Sequence, residues 1–285
     1  MAETVAVLRD RIPPRPDRTA RSDNVEALSD RVEARSGRAP EEAALAEQAA
    51  LAEVASRAPA ADRGEEDLAP SIDALRRAGI LERLSAYADP EPEPDVVRDV
   101  VTLLRRIGRA NLSVGRIVEG HLNALRIAAI YGTNAQRTRV RADCANGAIL
   151  GVWGADGDPP LSVSNQGDSQ FLTGSKRFAS GLGIVSPVLV SVRTDDGAQL
   201  YLVPSSERAR MDAASWATSG MKATVSGTYS FDGVEIDAHA QLGRPGDWMR
   251  EPHFEGGVWR YCAQHVGGME ALAECALRHA VEGGF

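Results

Sequence analysis

The chain has 285 residues, which is enough for two domains and a sizeable hydrophobic core. Its formal net charge of -8 and the absence of a basic patch argue against a nucleic-acid partner. No apolar run has the length of a membrane span and no charged-then-apolar leader opens the sequence, so we expect a cytoplasmic protein with no membrane partner.

The three cysteines, Cys144, Cys262 and Cys275, are an odd number without the spacing of metal ligands. We interpret them as reduced thiols of the hydrophobic core in a reducing compartment. The sequence therefore predicts neither a disulfide framework nor a metal site.

The N-terminal half divides into two segments of different composition. Residues 1–38 are rich in Arg, Asp and Pro and poor in large apolar residues, which predicts a disordered extension. In residues 39–147 apolar residues recur at steps of three and four, which is typical of amphipathic helices. Pro40, followed by two glutamates, suits the first turn of such a helix. We predict an all-α helical domain over residues 39–147.

Residues 148–250 change to an apolar period of two, in short runs separated by Gly, Asp and Pro. The sequence Asp195-Asp196-Gly197 is typical of a tight hairpin turn. A succession of short strands with hairpin turns predicts a middle domain of mostly antiparallel strands that closes into a β-barrel.

Gly181, Gly183 and Ser186 come close to a glycine-rich phosphate-binding loop. Such a loop must open a helix, so that the phosphate meets the helix N-terminus. Here a β-branched, strand-like run from Ile184 to Val192 follows instead. We interpret the glycines as a turn between two strands.

Residues 251–285 return to a helical pattern, with Tyr261, His265, Met269 and Leu272 on one side. A single amphipathic helix needs a partner, and none follows it in the sequence. We predict the first helix of an incomplete C-terminal helical domain, and association with a second copy or a complementing chain. The fold class is α+β multidomain: helices, then a β-barrel, then one helix.

Three stretches carry a longer-range resemblance. They are "GMKATVSGTYSFDGVEI" (residues 220–236), "TGSKRFASG" (residues 173–181) and "GVWGAD" (residues 151–156). The first resembles the middle-domain signature of the acyl-CoA dehydrogenase superfamily of flavoproteins, and the other two resemble strands that contact the flavin in that superfamily. The resemblance implies a C-terminally truncated flavoprotein with FAD as its cofactor.

The resemblance also implies which residues contact the flavin. Phe178 would pack against the isoalloxazine ring, and the Ser180 hydroxyl would donate near its reactive nitrogen. Trp153, Gly154 and Ala155 would lie against the flavin pyrimidine. Without the resemblance, Phe178 and Trp153 read as core residues and Ser180 as a turn hydroxyl.

Substrate and catalytic base are less well defined. Relatives place a substrate-binding arginine where Arg260 stands, and a minority of them place a catalytic glutamate just before it. Here that position is Trp259, which cannot act as a base, and His253 and Glu255 are only nearby titratable residues. The catalytic residues therefore stay unknown, and the altered loop after Asp156 makes a CoA thioester less certain than a flavin.

Three functions follow from these features. The leading one is an acyl-CoA dehydrogenase-like, FAD-dependent oxidoreductase of fatty acid metabolism, impaired by truncation. The second is a flavin-dependent monooxygenase of the same fold, which needs no glutamate base. The third is a non-catalytic partner subunit.

Overall fold

The computed structural model describes residues 39–167, 169–237 and 239–283, so the predicted extension over residues 1–38 lies outside the described residues. The helices are α1 (Pro40–Arg63), α2 (Ala69–Arg77), α3 (Ile80–Ser85), α4 (Pro94–Ala110), α5 (Leu112–Tyr131), α6 (Asn134–Ala145) and α7 (Val258–Glu282). The strands are β1 (Ile149–Trp153), β2 (Ser162–Gln166), β3 (Ser169–Thr173), β4 (Ser175–Ala179), β5 (Val185–Thr194), β6 (Gly197–Val203), β7 (Met211–Asp212), β8 (Gly227–Ser230), β9 (Val234–Ile236) and β10 (Gln241–Leu242). Residues 40–44 are the first residues of α1. The predicted order of helices, strands and a final long helix is confirmed.

Local signals in the sequence explain where the central helices begin. Pro94 occupies the first turn of α4, where its missing N–H costs nothing. The Asn111 side chain accepts hydrogen bonds from the N–H groups of Ser113 and Val114 and so caps α5. Thr133 and Gln136 form a capping box at the start of α6. The fully buried residues of α4 follow the three- and four-residue spacing of one helix face: Val100, Leu103, Leu104 and Ile107.

The last helix finds its packing partner earlier in the chain. α7 packs against α4 and α5, and a Cβ added at Gly108 or at Gly267 would overlap backbone atoms of the opposite helix. The helices can approach this closely only because both positions are glycine. Arg109 forms an ion pair with Glu274 at 2.5 Å beside this crossing. One face of α7 is therefore covered, and the apolar side predicted from the sequence stays exposed, with Leu272 72% exposed.

The strands form three sheets, with orders β1-β5-β6-β10, β2-β3-β9 and β4-β8-β7. Only β1 and β5 pair in parallel among the named strands; every other pair is antiparallel, as predicted. The structure does not show the sheets closed into the barrel that the sequence predicted. The core of the largest sheet consists of apolar residues of β5 that are buried on both faces, among them Val188, Leu189 and Val190.

Two predicted turns are confirmed. Asp195 and Asp196 connect β5 and β6, with Thr194 paired opposite Gly197. Gly181 and Gly183 lie in the turn between β4 and β5, and each has a positive φ, 84° and 87°, which glycine adopts without strain.

The interpretation of the cysteines as core thiols is wrong for two of the three. Cys262 and Cys275 are exposed on α7, because the residues that this helix buries are Arg260, Ala263, Gln264 and Gly267. Cys144 is half-buried, and burial raises the pKa of its thiol to about 11. No helix in the described part of the chain is both long enough and apolar enough to cross a membrane. Over the same residues, no group of His, Cys, Asp and Glu side chains has the arrangement of a metal site.

Candidate functional site

Phe178 stands out by its backbone and its exposure. Its φ is 54°, in the left-handed region, and the pairing of β4 with β8 shifts register between Lys176 and Ala179. The ring is 55% exposed, with the Trp216 ring edge-on at 6.4 Å and the Arg177 guanidinium carbon 5.1 Å from its centroid. Phe178 is therefore not a core residue, and β4 presents an aromatic ring at its surface.

Ser180, two residues after Phe178, belongs to a row of three hydroxyl groups. Ser226 Oγ donates to Ser180 Oγ at 2.8 Å, and Thr224 Oγ1 lies 2.8 Å from Ser226 Oγ. Thr224 and Ser226 come from the "GMKATVSG" stretch, and the Thr224 carbonyl accepts from the Gly181 N–H at 2.7 Å. The Thr224 hydroxyl also donates to the Met221 carbonyl at 2.8 Å, so the row is anchored to the backbone and positions Ser180 Oγ.

Trp153 fixes the other side of this segment. Its Nε1 donates to the Ser180 carbonyl at 3.1 Å, and its ring packs against the rings of Tyr229 and Phe231 at centroid distances of 5.5 and 6.3 Å. Only 2% of Trp153 is exposed. The indole is thus a core residue that also orients Ser180.

The chain after Trp153 is held by a buried lysine. Lys176 is fully buried, and its Nζ donates to Asp156 at 2.6 Å, to the Gly154 carbonyl at 3.2 Å and to Ser191 Oγ at 3.2 Å. Burial lowers the pKa of Lys176, and Asp156 opposes that shift. The Ala155 carbonyl accepts from the Arg177 N–H at 3.0 Å. Lys176 was not identified as a site residue from the sequence, although it stands inside the motif that carries the resemblance.

A small, open cleft lies between α5, β1 and the β4–β5 turn. Its lining consists of Arg116, Ile117, Gly120, Val152, Trp153, Ser180 and Val185. No Asp, Glu or His belongs to this lining, and Arg116 is its one charged residue. The cleft therefore brings Trp153 and Ser180 together, beside a guanidinium that sequence reasoning missed.

Arg260 lies outside that lining, in a buried network. Arg260 is 5% exposed, and its Nε donates to Asn123 Oδ1 at 2.6 Å and its NH1 to the Tyr87 hydroxyl at 2.7 Å. Asn123 donates in turn to Glu119, which also accepts from Arg116. The predicted substrate-binding arginine is thus linked to the cleft through two intervening side chains.

The titratable residues near Arg260 lie elsewhere on the surface. His253 and Glu255 are exposed, and neither belongs to the lining of the cleft. The His253 ring packs edge-on against Tyr131 at 6.2 Å. Trp259 is half-buried and packs edge-on against Tyr87 at 5.5 Å.

Several solved structures are similar to this fold over most of the chain. TdsC from Paenibacillus sp. A11-2, solved with FMN and indole, has a TM-score of 0.66 and 19% identity over 84% of this chain and 64% of that chain. KijD3, in complex with FMN and a dTDP-linked amino-keto sugar, has a TM-score of 0.66 and 20% identity over 95% of this chain and 65% of that chain. Methanesulfinate monooxygenase MsuC from Pseudomonas fluorescens has a TM-score of 0.62 and 16% identity over 84% of this chain and 62% of that chain. This chain thus spans less than two thirds of the length of each of them.

No protein-family model and no curated protein sequence matches the chain. At identities of 16% to 20%, the structural similarity shows the fold and leaves the chemistry to the residues of the site.

Proposed function

We propose that this chain, which has the acyl-CoA dehydrogenase fold, is a flavin-dependent oxidoreductase of the monooxygenase type that uses FMN. The observation that carries the proposal is the Phe178–Ser180 segment, which presents an exposed aromatic ring and, at a cleft lined without a carboxylate, the Ser180 hydroxyl. The similar structures TdsC and KijD3 were solved with FMN, which favours FMN over the FAD expected from the sequence.

The residues of the segment fit a flavin. In this proposal the exposed Phe178 ring stacks on the isoalloxazine, and Ser180 donates its hydroxyl proton to the ring nitrogen that becomes electron-rich on reduction. Trp153 holds the Ser180 backbone, and Lys176 holds Gly154 and Asp156 at the end of β1. When bound, reduced flavin supplies the electrons with which one atom of molecular oxygen is transferred to a substrate and the other leaves as water.

The lining of the cleft favours this chemistry over acyl-CoA dehydrogenation. Removing a proton from the α-carbon of an acyl thioester requires a base within hydrogen-bond reach. The carboxylate nearest in sequence to the lining residues, Glu119, is 3% exposed and already accepts from Arg116 and Asn123. TdsC and MsuC, both named as monooxygenases, are consistent with the same assignment.

The test compares the two chemistries in one preparation. The chain is loaded with FMN or FAD, and medium-chain acyl-CoAs are added without oxygen; we expect no bleaching of the oxidised flavin. Reduced flavin is then mixed with ¹⁸O₂ and a panel of small organosulfur and aromatic compounds, and we expect ¹⁸O in a product. Bleaching by an acyl-CoA, with no labelled product, would restore the dehydrogenase assignment.

The exposed side of α7 supports a second part of the proposal, association with a second copy of the chain. Tyr261, Met269 and Leu272 are 49%, 66% and 72% exposed on one side of this helix. Apolar surface of this kind favours an interface. Sedimentation at micromolar concentration should give a mass above that of one chain, and a monomer would contradict this part of the proposal.

A further inference from the structure

The Arg116 guanidinium has more N–H groups at the cleft than hydrogen-bond partners in the described residues. Its NH1 donates to Glu119, and its side chain is 29% exposed. Among the described residues the structure gives it no other hydrogen-bond or ion-pair partner, although a guanidinium carries five N–H groups. Gly120 stands beside it in the lining, where the absence of a side chain leaves room next to the guanidinium.

The network behind Arg116 holds its side chain in place. Glu119 is shared between Arg116 and Asn123, and Asn123 accepts from the buried Arg260. Arg260 reaches Glu119 only through Asn123, so Glu119 is the direct counter-charge of Arg116 alone. The N–H groups of Arg116 that do not contact Glu119 remain available to an oxyanion at the end of the network.

The network of Arg260, Asn123, Glu119 and Arg116 ends at the cleft with the Arg116 guanidinium, and Ser180 lines the same cleft. The guanidinium is planar and recognises oxyanions of two or three oxygens through paired hydrogen bonds. The other lining side chains near it are apolar: Ile117, Val152 and Val185. The cleft thus combines one anchored cation with an apolar wall.

We infer that Arg116 is a substrate-binding residue, and that the substrate is a small compound with an oxyanion, such as a carboxylate or a sulfinate, on an apolar body. This inference rests on the proposed function, because it places the substrate beside the flavin-facing segment. Asn123, Glu119 and Arg260 act through Arg116 as positioning residues. The predicted role of Arg260 in substrate binding becomes an indirect one.

The experiment uses benzoate as the anionic probe and benzamide as its neutral counterpart. Binding of each to the chain is measured by calorimetry, with and without saturating FMN. A charge-assisted hydrogen bond that is lost weakens binding by about tenfold or more. We expect the chain to prefer benzoate over benzamide by at least about that factor.

The variants separate recognition from folding. Arg116→Gln alone leaves the buried Glu119 carboxylate poorly paired, so the matched variant is Arg116→Gln with Glu119→Gln, which removes both charges. We expect this double variant to lose the preference for benzoate while it retains FMN affinity, and Arg116→Lys to retain part of that preference. Arg139→Gln, at an exposed arginine of α6, is the control and should change neither.

Two outcomes would overturn the inference. The first is a double variant that keeps the full preference for benzoate. The second is a double variant whose preference for benzoate falls only in the presence of FMN and together with FMN affinity, because Arg116 would then serve the cofactor. A chain that binds no flavin would refute the proposed function separately, and calorimetry without FMN would still decide whether Arg116 binds the anion.

Discussion

Phe178 adopts a backbone conformation that residues other than glycine rarely adopt. A non-glycine residue in the left-handed region costs on the order of 1–3 kcal/mol, and Phe178, Met221 and Val225 all lie there, at φ of 54°, 53° and 41°. The Gly181 and Leu182 N–H groups donate to the carbonyls of Thr224 and Val225, so the strained segments are joined. Strain concentrated next to an exposed aromatic ring is a feature of binding sites, and it supports the flavin assignment of this segment.

Removing the Ser180 hydroxyl tests the assignment of this residue to the flavin site. Ser180→Ala removes the donor predicted to contact the flavin and leaves Ser226 to rotate toward Thr224. Because one hydrogen bond contributes about 0.5–1.5 kcal/mol, FMN should bind about two- to tenfold more weakly. The reduction potential of bound FMN should fall as well, since the electron-rich form loses its donor. Both quantities are measured by spectroscopic titration.

Ser162→Ala serves as the control for this variant, because Ser162 is an exposed hydroxyl of β2 outside the lining of the cleft. An FMN affinity and a reduction potential that are the same in Ser180→Ala and Ser162→Ala would remove Ser180 from the cofactor site.

Which site residues the sequence could predict depends on how local their signals are. A contiguous motif identifies Phe178 and Ser180. The positive φ of Phe178 could not be predicted, because phenylalanine rarely adopts it and no residue pattern indicates it. Arg116 lies in a helix whose apolar spacing predicted only packing. The role proposed for it depends on the cleft wall formed by β1 and β5, which is distant in sequence.

At the scale of elements, the crossing of α4 and α7 depends on the absence of two side chains. Gly267 lies against the α4 backbone near Arg105 and Arg109, so a methyl group there forces the helices apart. Overpacking of this kind costs about 1–3 kcal/mol, which exceeds the gain of about 1 kcal/mol from replacing glycine by alanine in a helix. We expect Gly267→Ala to lower the free energy of unfolding in urea denaturation.

The neighbouring residue is the matched control. A Cβ at Gly268 would meet Leu112 side-chain atoms, the nearest at 3.4 Å, and the Gly108 carbonyl oxygen at 3.8 Å, which are ordinary contacts. Gly268→Ala should therefore leave the unfolding free energy unchanged or raise it. Equal stability of the two variants would contradict the close crossing of α4 and α7.

The elements themselves were largely predictable. Caps such as Asn111 and Thr133, and the Asp195-Asp196 turn, are signals within a few residues, so the helices and the hairpin followed from the pattern. The parallel pairing of β1 with β5 joins strands more than thirty residues apart in the sequence and has no local signal. For the same reason, the pattern of short strands could not decide whether the sheets close into a barrel.

At the scale of the whole molecule, a buried histidine makes stability depend on pH. His121 of α5 is 3% exposed, and its Nδ1 accepts from the Leu150 N–H at 3.0 Å, which joins the helices to β1. Burial, with a smaller contribution from Arg76, lowers the pKa of His121 from 6.5 to about 4. As the pH falls below 6.5, the unfolded chain therefore takes up a proton that the folded chain does not, and the folded state loses stability until about pH 4.

We expect His121 to account for a loss of up to about 3 kcal/mol of unfolding free energy over that range. His121→Asn keeps an acceptor for Leu150 N–H but does not titrate there, so its stability should fall less between about pH 7.5 and pH 5 in urea denaturation. A variant as sensitive to pH as the original chain would show that His121 is not the group responsible.

The most direct measurement of the central claim is the dissociation constant of FMN for the chain and for Phe178→Gly. Glycine adopts the positive φ of Phe178 without strain, so the variant should unfold at an unchanged or higher urea concentration. It lacks the aromatic ring, and aromatic stacking contributes about 0.5–1.5 kcal/mol. We predict submillimolar FMN binding by the original chain and binding weaker by about two- to tenfold in Phe178→Gly. An equal dissociation constant in the two proteins, or no FMN binding by the original chain, would contradict the assignment of Phe178 and Ser180 as the flavin face.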